Sequence, residues 1–199
     1  MAGSKVYRGN MAQLTENKGG RYLLAFGVSV GMVGIILFFA YDLGFRHVGF
    51  AFLVNFFILF WVTIVQRLIQ LALGDSYYQP QTWEKEGKVY EWVGVRPAKR
   101  LVSSRAWRLF NKDFQFKRRG PGMLDELDDA LRNAETGHLL ALLIMGVLTL
   151  YALAQQWWDA VGWLLLFNIL INGYPIMIQR YNRLRLHQVR QRQQKRASR

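Results

Sequence analysis

Four runs of about 20 residues, 22–41, 48–66, 139–158 and 160–179, contain no charged side chain. At roughly 1.5 Å of rise per residue, a helix of that length crosses a hydrocarbon core of about 30 Å. In water, four such helices in a chain of 199 residues would leave too little polar surface to cover them. A bilayer removes that difficulty and forces the helical choice, because lipid offers no partner to a backbone N–H or C=O. The runs therefore predict an all-α integral membrane protein with four transmembrane helices. The first run is longer than the apolar part of a removable leader. It continues into Asp42-Leu43-Gly44-Phe45 without a small-residue cleavage pattern, so it is expected to remain as span one.

Orientation follows from the basic residues. Lys5, Arg8, Lys18 and Arg21 precede span one, whereas Arg46 is the sole basic residue beside Asp42 and His47 in the link to span two. Segment 75–135 is rich in Lys and Arg, the link Gln155-Gln156-Trp157-Trp158-Asp159 has none, and the tail from Arg180 is purely basic. Basic segments stay on the cytoplasmic side, which predicts a multi-pass protein of the inner (cytoplasmic) membrane with both termini and the central segment inside. Trp157, Trp158 and Trp163 sit where an outer aromatic belt is expected. The net charge of +13 suits attraction to anionic headgroups. Nucleic acid is not an expected partner, since the basic residues flank spans instead of forming a module of their own. The chain has no cysteine, which excludes disulfides, thiolate catalysis and thiolate metal sites.

The chain reads as one membrane domain, 1–199: an N-terminal arm (1–20), spans one and two (21–74), a cytoplasmic or interfacial segment (75–136), spans three and four (137–180) and a basic tail (181–199). Gly27, Gly31 and Gly34 make a small-residue face on span one that invites a close helix neighbour. Asn55, mid-span, suits a helix-to-helix hydrogen bond better than a ligand, and span two is expected to continue past Arg67 and Gln70 to Gly74. From residue 77 to 108, aromatic and basic residues interleave (Trp83, Tyr90, Trp92, Lys99, Arg100, Trp107), as in an interfacial element. Leu124, Leu127, Leu131, Ala134 and His138 recur at helical spacing and predict a helix that runs straight into span three. Its first turns hold Asp125, Glu126, Asp128 and Asp129, where carboxylates favour the helix dipole. Gly173 and Pro175 should bend span four.

Spans three and four are antiparallel if both cross the bilayer, so Glu135 and His138 fall on the same membrane face as Gln179-Arg180-Tyr181-Asn182-Arg183. Polar groups at a membrane boundary are costly unless paired or used. Glu135 and His138, three residues apart, share a helix face; the pair suits general-base activation of a hydroxyl, and equally an interfacial hydrogen bond. The arginines suit a bidentate grip on the anionic part of an acyl donor such as acyl-CoA, or on lipid phosphate. A metal site is not expected, since His138 has no second histidine nearby and His47 should lie on the opposite face.

These residues carry a resemblance. Ala134-Glu135-x-x-His138, followed by Gln179-Arg180-Tyr181-Asn182-Arg183-x-Arg185-Leu186, resembles the bacterial glycosyl-4,4'-diaponeurosporenoate acyltransferase family. Trp83-Glu84-Lys85-Glu86-Gly87-Lys88-Val89-Tyr90 with Val95-Arg96-x-x-Lys99 is similar to the same family, so the likeness covers residues 83–186. It implies transfer of a fatty acyl group from an activated donor to a hydroxyl of a glycosylated carotenoid or another amphipathic, glycolipid-like acceptor. His138 would be the general base and Glu135 its orienter. Arg180, Asn182 and Arg183, with Gln179, Tyr181, Arg96 and Lys99, would bind substrate or the developing oxyanion. No cofactor is implied beyond the acyl donor as co-substrate, and membrane lipids are the remaining expected partners. The rivals are a non-catalytic lipid-binding or assembly protein, and another lipid-modifying membrane enzyme such as a methyltransferase.

Overall fold

The computed structural model describes residues 18–69, 71–97 and 123–198, and every regular element among them is helical. Four helices are long and apolar enough to cross a membrane: Lys18–Asp42, Val48–Ile69, Met123–Ala154 and Trp158–Arg196. The chain divides into two compact units, Met1–Ala72 with Leu140–Ile171, and Leu73–Leu139 with Asn172–Arg199.

In the first unit, helix α1 (Lys18–Asp42) packs along α2 (Val48–Ile69), and α2 packs against α6 (Trp158–Asn168). Phe50, Ala51, Val54, Ile58 and Val62 recur every three or four residues and form one buried stripe on α2. Across from it lie Ala141, Met145 and Ala152, together with Ala160 and Leu164 of α6; small residues at such contacts let helices approach closely. Asn55 is fully buried and donates to the Ala51 carbonyl of its own helix at 2.9 Å. Trp61 Nε1 donates to Ser29 Oγ at 3.0 Å, tying α2 to α1. By contrast, α1 buries only Ala25 and Met32, and it leaves Leu23, Phe26, Val30, Val33 and Leu37 exposed. The glycine face of α1 is open too: a Cβ at Gly27, Gly31 or Gly34 would meet no other described atom within 4 Å.

Two boundaries differ from the sequence reading. Helix α2 stops at Ile69, short of Gly74, where the Leu71 amide bonds the Gln66 carbonyl at 3.3 Å and leaves the regular helical register. Trp158 begins α6 instead of closing span three, because Gln156 turns the chain with φ +59°. Arg46 and Asp159, from the two short links, pair at 3.0 Å.

In the second unit, α3 (Asp75–Tyr78), a 3-10 turn (Thr82–Gly87) and α4 (Lys88–Trp92) accompany the start of α5 (Met123–Ala154) and helix α7 (Tyr174–Ala197). As expected, the amphipathic segment and span three are one helix, α5. Tyr90, Val95, Ile178, Tyr181 and Leu184 form the unit's apolar cluster. Where a bend was expected, residues Ile169–Gly173 form a π-helical turn. Pro175 has no N–H to donate and its ring crowds the carbonyl four residues back, so a widened turn accommodates it without breaking the helix. Beyond it, α7 stays helical through the basic residues as far as Ala197.

Candidate active site

Arg180 and Arg183 are three residues apart and therefore share a face of α7. Glu135 enters from α5, and both of its oxygens are engaged: Oε1 lies 3.4 Å from Arg180 Nη1, and Oε2 lies 3.2 Å from Arg183 Nε. A second carboxylate, Glu84, comes from the 3-10 turn and is fully buried. It accepts from Arg180 Nε, from the Tyr90 hydroxyl and from the Gln81 amide, each at 2.6 Å. Two buried guanidiniums thus face two buried carboxylates. Such a quartet is tolerable because each charge faces an opposite one, although Glu135 Oε2 and Arg183 Nε meet as an ion pair without hydrogen-bond geometry.

The arginines are further fixed by the backbone of residues 77–79. Arg180 donates to the carbonyls of Tyr77 (2.6 Å) and Gln79 (3.2 Å), and Arg183 donates to that of Tyr78 (2.9 Å). These are carbonyls at and just beyond the end of α3, which cannot be satisfied within so short a helix. The Tyr77 ring lies under Arg180 at 5.2 Å and the Tyr78 ring under Arg183 at 4.8 Å. Arg183 Nη1 is buried without a hydrogen-bond partner among the described residues.

Electrostatics keep the surrounding groups in fixed protonation states. Burial works to raise the Glu84 carboxyl, but the hydrogen bonds from Arg180, the Gln81 amide and Tyr90 outweigh it and hold the group below its ordinary range. Burial and the neighbouring Glu135 carboxylate, to which it hydrogen-bonds, push the Tyr77 phenol up to about 12. Burial and Glu84 push Tyr90 upward as well. Both phenols are therefore donors at neutral pH, with no tendency to ionise.

One to three turns further along the pair of helices, the charges are matched again. Arg132 pairs with Asp75 (2.6 Å) and Asp128 (3.1 Å), and Arg190 pairs with Asp125 (2.6 Å) and Asp128 (3.5 Å). Asp125 and Asp128, read from sequence as partners of the helix dipole, thus also bind α7. Tyr78 and Thr136 join α3 to α5 through their hydroxyls.

The other residues singled out in the sequence fall in different places. His138 is half-buried on α5, one turn beyond Glu135, and Asn182 is half-buried on α7. Gln179 is buried, with its Oε1 lacking a hydrogen-bond partner among the described residues. Tyr181 donates to Glu91 at 2.7 Å, and Arg96 pairs with the same carboxylate at 2.6 Å. Lys99 lies outside the described residues. Among the described residues, no cluster of three His, Cys, Asp or Glu side chains could hold a metal ion.

Sequence reasoning missed Glu84, Tyr77 and Tyr78 as members of the cluster. The available signal was a capping box: Gln81 caps the 3-10 turn and Glu84, three residues on, reaches back to the Gln81 amide. With Gln in place of the usual Ser, Thr, Asp or Asn, and with Lys85 and Glu86 alongside, Glu84 passes for one more surface charge.

A model of the family described as glycosyl-4,4'-diaponeurosporenoate acyltransferase matches residues 74–192, more than half of the chain. All four members of the buried quartet lie within that stretch. No curated protein and no solved structure matches the chain.

Proposed function

The chain belongs to the glycosyl-4,4'-diaponeurosporenoate acyltransferase family and is an acyltransferase, and from that premise we propose that it esterifies a sugar hydroxyl of a glycosylated carotenoid, or of a like amphipathic glycoside, with a fatty acyl group from an activated donor such as acyl-CoA. The observation that carries the assignment of the site is the buried meeting of Glu135 with Arg180 and Arg183 inside the matched stretch.

In this mechanism, His138 removes the proton of the acceptor hydroxyl as its oxygen attacks the thioester carbonyl. The carbonyl oxygen becomes an oxyanion, the tetrahedral adduct collapses, and the thiolate leaves with a proton taken back from the imidazolium. Arg183 Nη1, buried with N–H groups to spare, is the donor suited to the oxyanion, because a fixed donor needs no reorganisation as charge develops. Glu135 holds both guanidiniums in place and lends negative charge to the helix face that carries His138. Asn182 and Gln179 line the approach of substrate.

The four long apolar helices support a multi-pass membrane protein. With the bias of Lys and Arg, they support both termini inside and a reaction at the inner leaflet, where acyl-CoA and a membrane-embedded acceptor can meet. The test is a reconstitution: the full chain in liposomes, radiolabelled acyl-CoA and a glycosylated carotenoid acid. Label in an ester of the acceptor is expected. Label transferred only from a methyl donor, or none from any acyl donor, would overturn the reading.

A further inference from the structure

Beside the Glu84–Arg180 pair lies a cavity of about 430 Å³, within the size range of small-molecule sites. Its walls are Tyr77, Trp83, Tyr90, Ile176 and Met177, and its polar groups besides the two phenols are Gln81 and Arg180. The proposed mechanism gives this cavity no occupant.

Its charge decides what it can take. Among the described residues, Arg180 is the one formal charge in the lining, and Glu84 already neutralises it at 2.6 Å. Both phenols keep their protons at neutral pH. A phosphate drawn to Arg180 would bring a second negative charge against a guanidinium that Glu84 already neutralises, and displacing Glu84 would leave a fully buried carboxylate unpaired, which is strongly unfavourable. The lining therefore discriminates against anions. A neutral ring with hydroxyls around its edge and C–H groups on its faces fits better: the faces lie on aromatic rings and the hydroxyls reach the Gln81 amide and the spare N–H of Arg180. Trp83 supports the same occupant. It is 57% exposed at the cavity while its ring meets buried Tyr90 edge-on at 6.1 Å, so a large indole is held ready but uncovered.

We propose that this cavity seats the neutral sugar ring of the acceptor, with Trp83 as stacking platform, and that the anionic part of the acyl donor binds elsewhere. The proposal rests on the glycoside-acceptor reading and deepens it. It makes Gln81 and Trp83, neither of which touches the reacting atoms, determinants of acceptor affinity.

The test uses the full chain in a zwitterionic detergent, with radiolabelled octyl glucoside held below its micelle concentration as probe and octyl phosphate as an anionic competitor with the same tail. Saturable glucoside binding is expected, weakened at least ten-fold by Trp83→Ala and several-fold by Gln81→Ala, with octyl phosphate failing to compete. Trp83→Phe, which keeps a ring, should restore most of the binding and guards against a folding defect in the alanine variant. Absence of saturable binding, equal competition by octyl phosphate, or wild-type binding by both alanine variants would overturn the proposal. Binding is read without any donor, so the two readings fail separately. Acyl transfer without saturable glucoside binding would sink the sugar seat alone, and glucoside binding without acyl transfer would sink the activity alone.

Discussion

Arg180 has a single N–H left to offer a substrate: Nε goes to Glu84, Nη1 to the Tyr77 carbonyl and Glu135, and Nη2 gives one of its two N–H groups to the Gln79 carbonyl. Its work is to hold a frame. A lysine keeps the charge but cannot serve four acceptors in a planar fork, so Arg180→Lys should reduce both acyl transfer and resistance to denaturant. Retention of both would refute the frame. His138 is the opposite case: it is half-buried on α5 and is not one of the four residues of the quartet. His138→Ala should leave the fold intact while lowering turnover by about 10² to 10⁴, the effect of losing general-base assistance; near-normal acylation by this variant would remove the histidine from the mechanism. Glu84 gives a pH prediction. Its carboxyl is held below the ordinary value of 4.5, so its stabilisation is complete above that value and fades as pH falls through and below it. The denaturation midpoint of the wild type should fall between pH 6 and pH 3, and in Glu84→Gln part of that fall should vanish. Residue types alone pointed to Glu135, Arg180 and Arg183, because charges near the end of an apolar run are conspicuous. Glu84 was not conspicuous, because its role is set by Arg180, 96 residues away.

At the level of elements, the long helices were readable because about twenty uncharged residues admit one structure in lipid. The short elements of segment 75–97 were not readable. Their register is fixed by contacts with α7, not by local periodicity. The junction of the 3-10 turn with α4 shows why. Gly87 adopts φ +99°, and a Cβ there would lie 3.0 Å from Cδ2 of the Tyr181 ring. Two constraints, one conformational and one steric, meet at a residue that the sequence offers as an unremarkable break between Glu86 and Lys88. Gly87→Ala should therefore cost about 1–3 kcal/mol from the backbone alone, with a further loss as Tyr181 is pushed from Glu91. Denaturant unfolding of the purified protein would measure it, and a cost below the error of the method would show that the turn is free to rearrange. Because Gly87 also precedes α4 and Tyr90, the same variant should weaken octyl glucoside binding.

For the molecule as a whole, the two units carry different burdens. Among its described residues the first buries no charged side chain and shows large exposed side chains such as Leu23, Phe26 and Val30 on α1, as a lipid-facing surface would. The second concentrates the buried charges. The proposed topology is directly testable because the chain has no native cysteine. Cysteines placed at Ser76 and Gln155, both exposed, should react oppositely with an impermeant reagent in intact cells, Gln155→Cys labelling and Ser76→Cys protected. Equal labelling would reject the arrangement. The buried quartet also has a consequence for how the protein is made. Glu84 and Glu135 leave the ribosome 96 and 45 residues before Arg180, respectively. During synthesis, the acidic half of the frame therefore exists for a time with no basic half to meet it. The second unit can close only when α7 is released, so the helix that follows both carboxylates in the chain is the one that completes the quartet. A ribosome that stalls before Arg180 leaves a chain in which both carboxylates of the frame lack the guanidiniums that neutralise them.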